Sequence, residues 1–288
     1  MNKRFGDRRD GVKVKTGGFE KFFYYVKPKR SESEVHILRD IDVTNLVKYY
    51  EKVKKDNEKI TYFHLFSTAV AKTIYNKPLL NRFVMNGNFY DRNEVTLSFV
   101  AKTSFTDEAK EMLTVIRIDK DDNLDKISKK ILGDVKKIRN DKTGGSVDDF
   151  MDIFNKLPKF VIRFVLWIVK ILDNHDLLPY SLTKDSIYHS SVLLSNLGSI
   201  HCGGIYHNLT NFGTNSVVLT IGEIKEDVRV VDGEIEKRYM CQFGITLDER
   251  IADGVYFAKS VNLLEYILNN PSMLEDMVDA KVNIDKNK

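Results

Sequence analysis

Between Thr61 and Ala101 the hydrophobic rhythm of the chain changes from helical to extended. Leu65, Phe66, Ala69, Val70 and Ile74 recur at helical spacing, and Pro78 ends the run. Val95, Leu97, Phe99 and Ala101 then alternate with Thr96, Ser98, Val100 and Lys102, the period of a strand with one buried face. Between the two, Asn86-Gly87 sits inside Phe83-Val84-Met85 and Asn88-Phe89-Tyr90 and suits the positive φ values of a type I′ hairpin turn. A chain with both periods side by side cannot be a helical bundle or a pure sandwich. It must lay helices against a sheet, which makes it a mixed α/β layered domain.

The remaining segments continue that pattern. Residues 22–26 and 35–38 read as short strands around a charged turn at 27–34. Asp42 or Thr44 can cap a helix that runs to about Lys55. Further strands are expected at 113–118, 190–195, 217–221 and 237–247, with Asp232-Gly233 in a turn between the last two. Helices are expected at 124–138 and 147–156, and after Asp253, where Val255, Phe257, Ala258, Val261, Leu264 and Ile267 lead to Pro271. The apolar run 160–172 holds Arg163 and Lys170 and falls short of the about 20 residues a bilayer span needs. It reads as a helix buried in the protein or at an oligomer interface, and membrane contact is not expected. The division that follows is a loosely held arm at 1–21, a single domain at 22–275 with a helical insertion at about 147–186, and a frayed tail at 276–288.

Composition narrows the function classes. Lys+Arg 45 against Asp+Glu 41 leaves a net charge of +4, too balanced for a nucleic-acid partner. Only Cys202 and Cys241 are present, which excludes a disulfide-stapled fold. The charged start, without an apolar segment, points to a reducing cytoplasm. Gly144-Gly145 and Gly203-Gly204 lack the context of a phosphate loop. His201, Cys202 and His207 cluster in one loop but lack a fourth ligand at a recognisable spacing, so no metal is expected.

Two stretches carry the chemistry. One is Leu194-Ser195-Asn196-Leu197-Gly198; the other is Asp248-Glu249-Arg250-Ile251-Ala252-Asp253-Gly254, leading into the last helix. Together with Asp40-Ile41-Asp42-Val43-Thr44-Asn45-Leu46 they resemble the acyltransferase catalytic core of 2-oxoacid dehydrogenase complexes, in the superfamily of chloramphenicol acetyltransferase. The resemblance covers about residues 35–273; the insertion near 147–186 is unlike the dehydrogenase cores, and no lipoyl or subunit-binding segment is expected ahead of the domain. It implies a mixed sheet flanked by helices, a homotrimer, and a channel between subunits where coenzyme A and an acyl acceptor meet. The function implied is acyl transfer between a CoA thioester and a thiol or hydroxyl acceptor. In the family, a hydroxyl on the Ser-Asn-Leu-Gly strand stabilises the oxyanion, the His of Asp-His-Arg-x-x-Asp-Gly removes the proton, and its Asp shapes the loop.

Carried over by position, Ser195 is the oxyanion residue, Asp253 the loop organiser, and Asn196, Gly198, Arg250 and Gly254 support them. Glu249 stands where the family has its histidine. A carboxylate of ordinary pKa about 4.3 thus replaces an imidazole of about 6.5, a loss of about 3 kcal/mol of proton affinity. His201 or His207 could supply a displaced base, and Cys202 a thiol. The alternative is an inactive relative that keeps the fold to bind acyl-CoA or a partner. As a simple loop residue, Glu249 would pair with Arg250 or another cation, and Ser195 would only satisfy a backbone group.

Overall fold

The computed structural model describes residues 8–102, 111–140 and 156–284. In chain order its strands are β1 (Gly11–Val14), β2 (Glu34–Asp42), β3 (Arg82–Met85), β4 (Asn88–Arg92), β5 (Val95–Lys102), β6 (Glu111–Ile118), β7 (Val192–Asn196), β8 (Val217–Val231) and β9 (Glu234–Asp248). The helices are α1 (Gly18–Val26), α2 (Thr44–Asp56), α3 (Tyr62–Asn76), α4 (Leu124–Asn140), α5 (Lys159–Asn174), the single turn α6 (Tyr180–Thr183) and α7 (Gly254–Asn269). Six strands form one mixed sheet in the order β2-β9-β8-β7-β5-β6, and β1-β4-β3 form a small second sheet. Within the large sheet β5, β7 and β8 run parallel, and β9 returns antiparallel to β8. Residues that end β7 and residues that end β9 therefore lie on opposite rims.

The core forms where α3 and α7 cover one face of that sheet. Phe66 and Val70 of α3 join Leu97, Leu194 and Phe243 of the sheet and Phe257 and Leu264 of α7 in one apolar cluster. The Phe66 ring meets Phe243 edge-on at 5.4 Å. Each such side chain removed from water stabilises the fold by about 1.5–3 kcal/mol. Because α3 is enclosed on all sides, even Lys72 is buried, and its Nζ donates to the Met277 carbonyl at 2.7 Å. The segment expected to fray from 276 onward is thus held: Val278 is buried, and the Val282 N–H donates to Asn76 Oδ1 at 3.0 Å.

Both expected turns are present. Asn86 and Gly87 take φ values of 48° and 72°, and Asp232 and Gly233 take 51° and 89°, the left-handed pairs a two-residue hairpin requires. Two further expectations change. Residues 22–26 belong to helix α1 and not to a strand; a short aromatic run fits either period, and α1 buries none of its residues, so no buried face declares it. The arm is structured from Arg8: β1 pairs with β4, Arg8 Nε donates to Asp10 at 2.8 Å, and Arg8 Nη1 donates to the Asp173 carbonyl at 2.6 Å. Helix α5 forms where the apolar run predicts it, yet Phe160, Phe164, Leu166 and Trp167 remain exposed among the described residues. The expected helix at 147–156 lies outside the described residues apart from Lys156. No helix among the described residues is long and apolar enough to cross a membrane.

Candidate active site

Strand β7 delivers Ser195 to one rim. Ser195 lies opposite Thr220 of β8, is half-buried, and its hydroxyl makes no hydrogen bond to any described group. Asn196 follows, exposed, and its carbonyl accepts from Ser199 Oγ at 2.9 Å. The chain then turns through Leu197–Ile200 against β8. A Cβ on Gly198 would stand 2.8 Å from the Gly222 carbonyl oxygen, so only glycine permits this approach. The β8 ladder is irregular at the same place, between Ile221 and Ile224. His201 takes a left-handed φ of 56°, and its Nδ1 meets Glu223 Oε1 at 2.5 Å. That contact, helped by Lys225 and opposed by desolvation, holds the Glu223 carboxyl below its usual range. Thr220 Oγ1 donates to the Ile205 carbonyl at 2.6 Å and faces the Ile205 N–H at 3.1 Å, tying the following loop to the sheet.

Strand β9 delivers the second stretch to the other rim. Asp248 is fully buried and takes Nε and Nη2 of Arg250 at 2.8 and 2.7 Å, with Arg30 Nε at 3.6 Å. Arg30 and Arg250 are themselves buried. Arg30 donates to the Thr210 and Gly213 carbonyls at 2.6 and 3.0 Å, and Arg250 to the Pro28 carbonyl at 2.8 Å. Burial pushes the Arg30 guanidinium down from its usual range, and Asp248 opposes that fall. Asp253 caps α7, its Oδ1 accepting from the Tyr256 N–H at 2.7 Å, and Gly254 opens the helix with free space around it. Glu249 is half-buried and its carboxylate is ion-paired with Lys27, which comes from the end of α1.

The register fixes how far apart the two halves are. Ser195 is level with Thr220, and Glu249 lies two residues beyond Leu247, which is level with Val217. That is about 17 Å along the strands and about 10 Å across them. One chain therefore does not bring Ser195 and Glu249 together. His201 shares the rim of Ser195, whereas His207 is exposed and its Nδ1 faces the Asn208 carbonyl. Cys202 is half-buried; Cys241 is buried with its thiol pushed up to about 12 by desolvation. Among the described residues no group of three or more His, Cys, Asp or Glu side chains could hold a metal ion. Sequence reasoning missed Lys27, Arg30, Thr220 and Glu223. Lys27 and Glu249 are too far apart in the chain for any spacing to join them, and Thr220 and Glu223 read as ordinary strand residues.

Chemically, one rim carries an unengaged hydroxyl and, on the following turn, a carboxylate-held imidazole, and the other a carboxylate paired with a lysine. Three comparisons bear on what such an arrangement serves. The model of the family described as 2-oxoacid dehydrogenases acyltransferase (catalytic domain) matches residues 26–149 and 179–275. The lipoamide acyltransferase component of the branched-chain alpha-keto acid dehydrogenase complex of Bacillus subtilis (strain 168) is 22% identical over 251 residues. That match covers 84% of this chain and 49% of the relative, so the chain spans about half the relative's length. Among solved structures, the probable dihydrolipoamide acetyltransferase of Listeria monocytogenes 4b F2365 superposes with a TM-score of 0.59 at 18% identity, covering 93% of this chain and 97% of that one. A chloramphenicol acetyltransferase does so with a TM-score of 0.54 at 11% identity, covering 91% and 99%. The two structures establish the shared fold.

Proposed function

The chain belongs to the family of 2-oxoacid dehydrogenase acyltransferase catalytic domains, and on that footing we propose that it transfers acyl groups between a CoA thioester and a thiol or hydroxyl acceptor, at sites completed between copies of itself. The observation that carries this reading is the unengaged Ser195 hydroxyl at the end of β7, on the rim opposite Glu249. Complementary halves on opposite rims suit a head-to-tail contact, and such contacts close into rings. A homotrimer in which the Ser195 rim of one copy meets the Glu249 rim of the next would hold both groups at each interface.

The chemistry follows from those groups. The acceptor thiol or hydroxyl attacks the thioester carbonyl while its proton passes to the Glu249 carboxylate. The carbonyl oxygen becomes an oxyanion, to which the Ser195 hydroxyl donates. Collapse of the tetrahedral intermediate breaks the C–S bond, and the CoA thiolate recovers the proton. No metal enters this scheme.

One observation favours a second reading, a CoA-binding relative without turnover: Lys27 already holds the Glu249 carboxylate. Thiol release from acetyl-CoA, offered with small thiol and hydroxyl acceptors, separates the two. The transferase reading predicts turnover by the natural protein and, for Ser195→Ala, a fall of about 10²–10³-fold in kcat, the usual effect of one oxyanion donor. Glu249→His should raise the rate, since it restores an imidazole. Coenzyme A binding without thiol release, in both the natural protein and Glu249→His, would establish the binding reading instead. A large loss in His201→Gln with none in Glu249→Gln would move the base to the Ser195 rim.

A further inference from the structure

Native cores seldom leave a void larger than one water, yet one lies between α3, α7 and the large sheet. Its walls include Val70 and Thr73 of α3, Val217 and Leu247 of the sheet, and Phe257 and Ser260 of α7. Every residue that lines it is buried, so it is an interior cavity. The space open to the centre of a water-sized sphere is about 40 Å³, room for about three waters. Neither Ser195 nor Glu249 lines it. Leu247, however, directly precedes Asp248, and Phe257 and Ser260 stand on the first two turns of the helix that Asp253 caps.

The chemistry of the walls selects what can fill the space. Apart from Thr73 and Ser260, every lining side chain is hydrocarbon. Thr73 Oγ1 donates to the Ala69 carbonyl at 2.8 Å, and Ser260 Oγ to the Tyr256 carbonyl at 2.7 Å. Both hydroxyl hydrogens are spent inside their own helices, so neither donates into the cavity. A buried water needs two to four polar partners, which these walls do not supply; cavities of this kind stay dry and take apolar guests. Left empty, the walls lose dispersion contacts on one side, and a hydrocarbon guest restores them.

We propose that this cavity is a binding site for a short aliphatic group of about three or four carbons, the size that replaces about three waters. The guest bridges α3, α7 and the sheet, and so touches the elements on either side of the Asp248–Gly254 stretch. Two sources supply such a group: the tail of an acyl chain carried on coenzyme A, or a free small hydrocarbon. Only the first source rests on the acyl-transfer reading; the site itself does not.

The test uses the full chain with ¹³C-labelled leucine and valine methyls, and xenon under pressure as the apolar probe. The Val70, Val217 and Leu264 methyl resonances should shift saturably, while those of the exposed Leu166 and Val230 stay nearly still. Val70→Leu and Val217→Ile each add a methylene from opposite walls. Each should remove the saturable xenon shifts and raise the Tm by about 1–4 °C, as filling a cavity does. Isobutane should displace xenon from the natural protein. Displacement by butyryl-CoA as well, and less by acetyl-CoA, would make the acyl tail the occupant. Displacement by isobutane with neither thioester competing would assign the site to a free small hydrocarbon. A protein that releases no thiol yet takes xenon and isobutane loses the acyl-transfer reading and keeps this one. Lining methyls that stay still in the folded natural protein overturn the proposal, whether or not the variants fold. So does isobutane that leaves xenon in place, or a lower Tm in both filling variants with their xenon shifts intact.

Discussion

Where β9 ends, Asp248 is fully buried between two buried arginines, whereas where β7 ends, the Ser195 hydroxyl is unengaged and His201 on the same rim is 84% exposed. The first rim is tied by carboxylate–guanidinium pairs and by arginine bonds to five separate backbone carbonyls. The second depends on a backbone close approach at Gly198 and on Thr220 clasping the loop at Ile205. The contrast explains how the Asp248–Gly254 stretch can hold its shape with a carboxylate at its centre. Asp248 and Arg250 lock the bend, Ile251 is buried and Asp253 caps the next helix. Glu249 alone points to a half-exposed lysine. The fold-keeping residues of the motif and the position assigned to proton transfer are separable.

Substitutions should expose that separation. Asp248→Ala leaves Arg250 and Arg30 buried without their carboxylate and should cost about 3–5 kcal/mol in urea unfolding. A cost under about 1 kcal/mol would mean that the rigid rim is not held by this network. Asp253→Ala removes one helix cap and should cost about 1 kcal/mol by the same measurement. Lys27→Ala breaks only a partly exposed pair, so its stability cost should be about 0.2–1 kcal/mol. If Glu249 is the base, freeing it in Lys27→Ala should also alter turnover, and an unchanged rate would detach Glu249 from the chemistry.

The same contrast shows what was legible in the sequence. The Asn86-Gly87 hairpin and strand β5 could be read because a left-handed turn and a one-sided apolar face leave local marks. The β8–β9 hairpin runs to Val231 and Glu234, well past the expected strand end at Ile221. Beyond that point Glu226, Asp227, Val228 and Arg229 are all exposed, so no buried face imposes alternation. For α5 the spacing gave the helix but not its surroundings, because periodicity does not distinguish a face covered by the same chain from one left open. The site residues stood out by resemblance, yet their placement on opposite rims comes only from strand order and direction. Lys27, 222 residues from its partner Glu249, has no local signature.

The account rests on acyl transfer at sites shared between copies, and subunit complementation tests it most directly. Ser195→Ala and Glu249→Ala proteins, each impaired in thiol release from acetyl-CoA, are unfolded, mixed in equal amounts and refolded together. If each site takes its hydroxyl from one copy and its carboxylate from the next, random mixing should restore about one quarter of the natural activity. A mixture no more active than its parents, or a natural protein that binds coenzyme A and releases no thiol, would contradict it.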